Sequence, residues 1–116
     1  MTDYDHAAID ELLHSRVRLA IVAFLAGAKT ADFSAVRTAI KTTDGNASIH
    51  LRKLEDAGYV TTHRNGSGVT ARTSVALTGS GRTALEHYTA VLRQLLDSAS
   101  QPQARDARQQ EIQTGS

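Results

Sequence analysis

The stretch TDGNASIHLRKLEDAGYV, residues 43–60, decides the fold, because it reads as an amphipathic helix that stops at a glycine and passes at once into a strand. Stepping about 100° per residue from Ala47, one stripe collects Ala47, His50, Leu51 and Leu54. Gly45, Ile49, Arg52 and Asp56 point the opposite way, with Asn46, Ser48 and Lys53 on the flanks. The outward surface therefore offers small, amide, hydroxyl and basic groups, the types that touch phosphates and base edges. A helix that only faces solvent more usually carries alternating charge.

Upstream, Phe33, Val36 and Ile40 recur at helical spacing, with Asp32 or Ser34 available as the cap. Residues 41–43 make a turn, and Thr43 or Asp44 caps the helix just described. Two short helices joined by a tight turn constitute a helix-turn-helix. Residues 28–32 read as a polar connection. Before them, Ser15 can cap SRVRLAIVAFLAG, residues 15–27, whose Leu19, Ile21, Val22 and Leu25 make it apolar on most sides and which Gly27 can end. This is the central core helix. At the start of the chain, Ile9, Leu12 and Leu13 form a short helical stripe within residues 4–13, with Asp5 as its cap, too narrow to bury alone.

Downstream, residues 59–63 are rich in β-branched side chains, Asn65-Gly66-Ser67-Gly68 supplies a turn, and residues 69–77 resume as a strand with Thr73, Val75 and Leu77 on one side. A hairpin results, with Arg64 and Arg72 flanking its tip. Thr78 then caps a final helix over residues 80–99, whose Leu85, Tyr88, Leu92 and Leu95 follow at three-and-four spacing, widened by Ala84, Val91 and Leu96. That helix is about 30 Å long at 1.5 Å per residue, more than the small hairpin and helix-turn-helix can cover, so a second chain is its expected cover. Residues 100–116 lose the apolar period and are expected to form a mobile tail, leaving residues 1–99 as the single domain.

Bulk composition bounds the function. At 116 residues the chain has room for a modest core and little for the cleft of a typical enzyme. The absence of cysteine excludes disulfides, thiolate metal sites and thiol switches. The scattered His6, His14, His50, His63 and His87 show no ligand spacing, so neither a metal nor a cofactor is expected. His50 falls on the inner stripe and is expected to be a partly buried, hydrogen-bonded core residue. No membrane-length apolar run occurs, and the acidic start is unlike a signal peptide, which points to the cytoplasm. The net charge of +1 divides unevenly, as −2 over residues 1–33, +3 over residues 34–72 and 0 over residues 73–116. The positive excess sits on the segment whose helix offers groups suited to a polyanion.

Together, HSRVRLAIVAFLAG, ADFSAVRTAI, TDGNASIHLRKLEDAGYV and LTGSGRTAL resemble the winged helix-turn-helix transcriptional regulators of bacteria and archaea, near the MarR and ArsR groups, over about residues 12–96. The resemblance implies a mainly α fold with a small β-hairpin (α+β), a homodimer, and near-palindromic double-stranded operator DNA met by residues 44–57 in the major groove and by the hairpin, residues 59–77, as a wing near the backbone or minor groove. Carried over position by position, Asn46, Ser48, Ile49, Arg52 and Lys53 match DNA-facing slots, and Arg64 and Arg72 match wing slots. Such a protein is nucleoid-associated and touches no membrane. Ile9, Leu12, Leu13, Leu85, Tyr88, Leu92 and Leu95 are the expected dimer contacts. The cysteines or clustered histidines and acids of ArsR-type metal sensors are absent, and no residue pattern identifies a small-molecule effector.

Two other classes of function fare less well. A winged helix that binds proteins should carry exposed aromatic or large aliphatic anchors on this helix face, and Ile49 alone is of that kind. A phosphate-cradling enzyme loop needs a lysine that TGSGRTAL lacks, so a capped helix start explains that segment better.

Overall fold

Ser15 opens the first helix, its hydroxyl accepting from the Arg18 amide at 3.4 Å to cap α1 (Arg16–Ala28). The structure, a computed structural model, describes residues 8–100. After α1 come β1 (Thr30–Asp32), α2 (Phe33–Ala39), α3 (Asp44–Asp56), β2 (Val60–Asn65), β3 (Arg72–Leu77) and α4 (Gly79–Ser100). The strands form one antiparallel sheet in the order β1-β3-β2, and the whole is a winged helix fold of the α+β class.

The core gathers the apolar stripe of every element onto α1. Ile21, Val22 and Leu25 of α1 meet Val36 of α2, Leu51 and Leu54 of α3, Val60 of β2, Val75 of β3 and Tyr88 of α4. Most of these side chains are wholly buried, each stabilising the fold by about 1.5–3 kcal/mol for the larger aliphatics. Their convergence fixes where α3 lies, because Leu51 and Leu54 are buried in the one cluster that α1, α2 and the sheet share.

Two backbone details depart from the sequence expectation. Helix α1 runs past Gly27 and ends at Lys29, which takes φ 70° and donates its amide to the Leu25 carbonyl. The supposed polar connection at residues 28–32 is in part β1, which pairs Thr30 with Ala76 and Asp32 with Ser74. Three residues without apolar alternation give no strand signal, and β1 exists because the open edge of β3 supplies its hydrogen bonds. The turn between α2 and α3 likewise holds a non-glycine residue, Lys41, at φ 54°.

The expected N-terminal helix is also corrected. Residues 9–14 run through turns, with the Asp10 carboxylate accepting from the Leu12 amide at 2.9 Å and from the Leu13 amide at 3.4 Å. Asp5 and residues 101–116 of the expected tail lie outside the described residues, while Ser100 closes α4. The N-terminal turns are tied down at several points. Tyr59 donates to Asp10 Oδ2 at 2.5 Å, which together with burial and the carboxylate charge pushes the phenol up to about 12. His14 Nδ1 meets the Tyr88 hydroxyl at 3.0 Å. Arg18 donates from Nε to the Leu12 carbonyl at 2.6 Å and from Nη1 to His50 Nδ1 at 2.9 Å.

Helix α3 ends in a Schellman motif. Gly58 takes φ 82°, the Gly58 amide bonds the Glu55 carbonyl and the Tyr59 amide bonds the Leu54 carbonyl, both at 2.9 Å. The carbonyls of Gly58 and Tyr59 are then used to seat α4. The Thr78 hydroxyl donates to the Gly58 carbonyl at 2.6 Å and accepts from the Gly81 amide at 2.9 Å, while the Thr78 amide bonds the Tyr59 carbonyl at 3.0 Å. Gly81 is buried, and a Cβ there would press into the Tyr59 carbonyl and come within 2.7 Å of Leu77 Cδ1.

Two outcomes follow from these junctions. Gly81→Ala should cost about 1–3 kcal/mol in chemical denaturation because backbone cannot yield as a side chain can, whereas Gly79→Ala, with open space around its Cβ, should cost almost nothing; equal stability of the two variants would refute the close approach. His50 is held below its ordinary 6.5 by burial first, then by the Arg18 and Lys53 charges. The folded state therefore favours neutral imidazole, so its contribution is complete above 6.5 and is lost as pH falls through the lowered value. Urea midpoints of wild type should drop between neutral and mildly acid pH by more than those of His50→Gln, which can still accept from Arg18 without titrating.

Candidate nucleic-acid interface

Helix α3 starts from the Thr43 hydroxyl, which accepts from the Asn46 amide at 3.2 Å, and Asp44 sits in its first turn where the helix dipole favours a carboxylate. Arg37 of α2 holds that carboxylate at 2.6 Å, binding the two helices of the motif together across the turn. Ala47, Leu51 and Leu54 are buried, at 0%, 4% and 0% exposure. The opposite face is open, with Ile49 57% exposed and Ser48, Arg52 and Lys53 exposed beside it. Asn46 is half-buried and donates through Nδ2 to the Thr42 hydroxyl at 2.7 Å, which leaves its second N–H and its carbonyl oxygen for other partners. His50 lies half-buried between the two faces, as the inner stripe implies.

A cleft of about 320 Å³ separates this helix from the sheet, lined by Ser48, Arg52 and Glu55 of α3, Thr62 of β2 and Thr73 of β3. Glu55 is not singled out by sequence, yet it accepts from the Thr62 hydroxyl at 2.8 Å and links the helix to the hairpin across the open side of the cleft. The pairing register sorts the wing residues by face. Val60, Thr62 and Arg64 oppose Leu77, Val75 and Thr73, and since residues directly opposite share a face, Arg64 lies on the side of the sheet that carries the buried valines and the cleft. Arg72 opposes Asn65 on the other side and is engaged with Asp32 Oδ2 at 3.3 Å. Sequence placed both arginines together beside the tip; the register separates them.

The tip differs from the expected strand as well. Residues 68–70 form a short 3-10 turn, Gly66 and Gly68 take φ 78° and 61°, and Val69, expected to open the second strand, stands fully exposed. A Cβ at Gly66 would come within 2.8 Å of the Thr70 carbonyl, so both conformation and space demand glycine there.

On the far side of the protomer, two of the expected dimer contacts are corrected in their reason. Leu13 is 0% and Tyr88 5% exposed within the chain itself, so neither waits for a partner to cover it. The N-terminal turns bring them into the core, which the stripe pattern did not disclose. Ile9, Leu12, Leu85 and Leu92 are half-buried against that core, Leu95 is half-buried, and Leu96 is 60% exposed. Among the described residues no cluster of His, Asp or Glu could hold a metal ion, and no helix is long and apolar enough to cross a membrane.

Comparison with known proteins agrees with this architecture. Residues 17–96 match the family model described as a winged helix DNA-binding domain. An uncharacterized protein of Methanocaldococcus jannaschii is 33% identical over 85 residues, covering 73% of this chain and 92% of its own. The structure of a transcriptional regulator homologue from Pyrococcus horikoshii OT3 superposes with a TM-score of 0.76 at 28% identity, over 85% of this chain and 98% of that one. The Staphylococcus aureus MepR–DNA complex shares the fold, with a TM-score of 0.62 at 16% identity over 94% and 86% of the two chains. Fold and family are thus those of transcriptional regulators, and the chain belongs to the winged helix DNA-binding domain family.

Proposed function

We propose that the protein is a homodimeric transcriptional regulator that places α3 in the major groove of operator DNA and rests its wing on the backbone. The observation that carries this reading is the division of α3: one side is locked into the core through Ala47, Leu51 and Leu54, while Ser48, Ile49, Arg52 and Lys53 stand exposed, Ser48 and Arg52 on the cleft that faces the wing. Selecting bound fragments from the source genome with purified protein tests it; failure to enrich any sequence would overturn it.

Within the interface, Arg52 reaches a base edge or phosphate, Ile49 contacts a thymine methyl, and Asn46, Ser48 and Lys53 flank them. Arg64 supplies a wing contact from the cleft side, while Arg72 serves mainly to hold β3 to β1 through Asp32. The second chain covers the outer part of α4. This helix has 22 residues, and its exposed Leu96, with half-buried Leu92, Leu95 and Leu85 and with Ile9 and Leu12 beside them, is the apolar surface left over once Leu13 and Tyr88 are counted in the core. A two-fold dimer presents half-sites about 34 Å apart, one turn of DNA, and an operator of matching near-palindromic form.

Arg52→Ala should weaken binding to a selected operator by about 1–3 kcal/mol and relax one base position if it reads a base. In the same anisotropy titrations Arg64→Ala should lower the salt dependence by about one phosphate contact per protomer, and Arg72→Ala should leave it unchanged; the reverse ranking of the two arginines would reject the assignment by register. Charges at Leu92 and Leu95 should yield monomers in sedimentation with much weaker operator binding. A wild-type monomer at micromolar concentration that binds one operator tightly would sink the dimer.

A further inference from the structure

Between the start of α1 and the turn joining α2 to α3 lies a pocket of about 230 Å³, lined by Arg16, Lys41, Thr42, Asn46, Val17 and Ile40. Its two cations are exposed and unengaged: the ion pairs among the described residues are Arg37–Asp44 and Arg72–Asp32. The first of these pairs also matters for the pocket, because it neutralises Asp44, the acid nearest the start of α3, which would otherwise repel an anion.

The polar atoms are oriented for an acceptor. Asn46 Nδ2 donates to Thr42 Oγ1 at 2.7 Å, so one lone pair of the hydroxyl is occupied and its hydrogen is available to donate elsewhere. Lys41 adds a third sign. It holds φ 54° in a turn where glycine would fit without strain, and its ammonium is what glycine could not supply.

We infer that this pocket grips one phosphodiester of the DNA backbone beside the recognition helix, through Arg16, Lys41 and the Thr42 hydroxyl. The inference rests on the DNA-binding function proposed above. Continuity with α3 favours a duplex phosphate over a free anion, since Asn46 belongs both to the pocket and to the helix face meant for the groove. Open, exposed cations would hold a lone phosphate ion weakly but add well to a surface already bound elsewhere.

The test uses the full chain and a selected duplex in anisotropy titrations across salt concentration. The double variant Arg16→Ala with Lys41→Ala should flatten the salt dependence by about one phosphate per protomer, about equally for all sequences. Lys41→Gly should raise the thermal midpoint, because glycine relieves the backbone, and yet weaken binding. Loss of binding together with loss of folding would instead mark a structural role and overturn the inference. Scanning single neutral methylphosphonate linkages along the duplex should reveal one linkage per half-site that weakens wild type and leaves the double variant insensitive. Wild-type affinity and salt dependence in both variants, or a thermal shift with inorganic phosphate but no linkage effect, would overturn it. If Arg52→Ala weakens binding while these variants do not, this pocket alone is wrong; if wild type binds no duplex, the function proposed above falls with it.

Discussion

One hydroxyl sets the geometry on which the rest depends. Thr78 donates to the last carbonyl of the turn after α3 and accepts from the first turn of α4, so a single side chain joins the end of α3 to the start of the longest helix among the described residues. Gly81 makes the joint close enough to work. Neither group would suffice by itself: without the glycine the two backbones could not approach, and without the hydroxyl two polar groups would lose their partners where water is partly excluded. The joint also sets the direction in which a helix of 22 residues leaves the sheet, with Gly81, Tyr88 and Val91 buried along one side and Leu96 left exposed.

The face of α3 is held out by what lies beneath and beside it. Apolar packing against α1 sets its depth, Arg37 holds its first turn to α2, Glu55 holds its last turns to β2, and Arg18 holds its middle through His50. Each of these contacts uses a side chain on the inner stripe or flank and leaves Ile49 and Arg52 free. A rigid helix with an unengaged outer face suits recognition, since its side chains give up little freedom beyond their own rotamers on binding.

What could be read from sequence followed periodicity and capping. The period of α3, its terminal Gly58 and the capping residues Ser15, Thr43 and Thr78 gave the helices within a residue or two, because these signals act within a single turn. Features decided between distant segments escaped. Strand β1 is a strand only because β3 offers an edge; Arg64 and Arg72 part company because the register, not their nearness in sequence, chooses their faces; Leu13 and Tyr88 are buried because Asp10 folds the N-terminal turns back against the body. The phosphate pocket was equally hidden, since Arg16 and Lys41 meet only after α1 has packed against the helix-turn-helix.

The exposed tip of the wing separates two kinds of change that most small domains must trade against each other. Every residue from 63 to 70 is exposed, and the sheet's buried pair, Val60 and Val75, lies well back from the tip. Length added at the tip therefore disturbs no packing and meets mainly the entropy of a longer loop, about 0.6 kcal/mol for each doubling. The wing can be remodelled in reach and composition almost independently of folding, whereas the helix beside it, locked on every inner side, can vary only at the few positions that face outward.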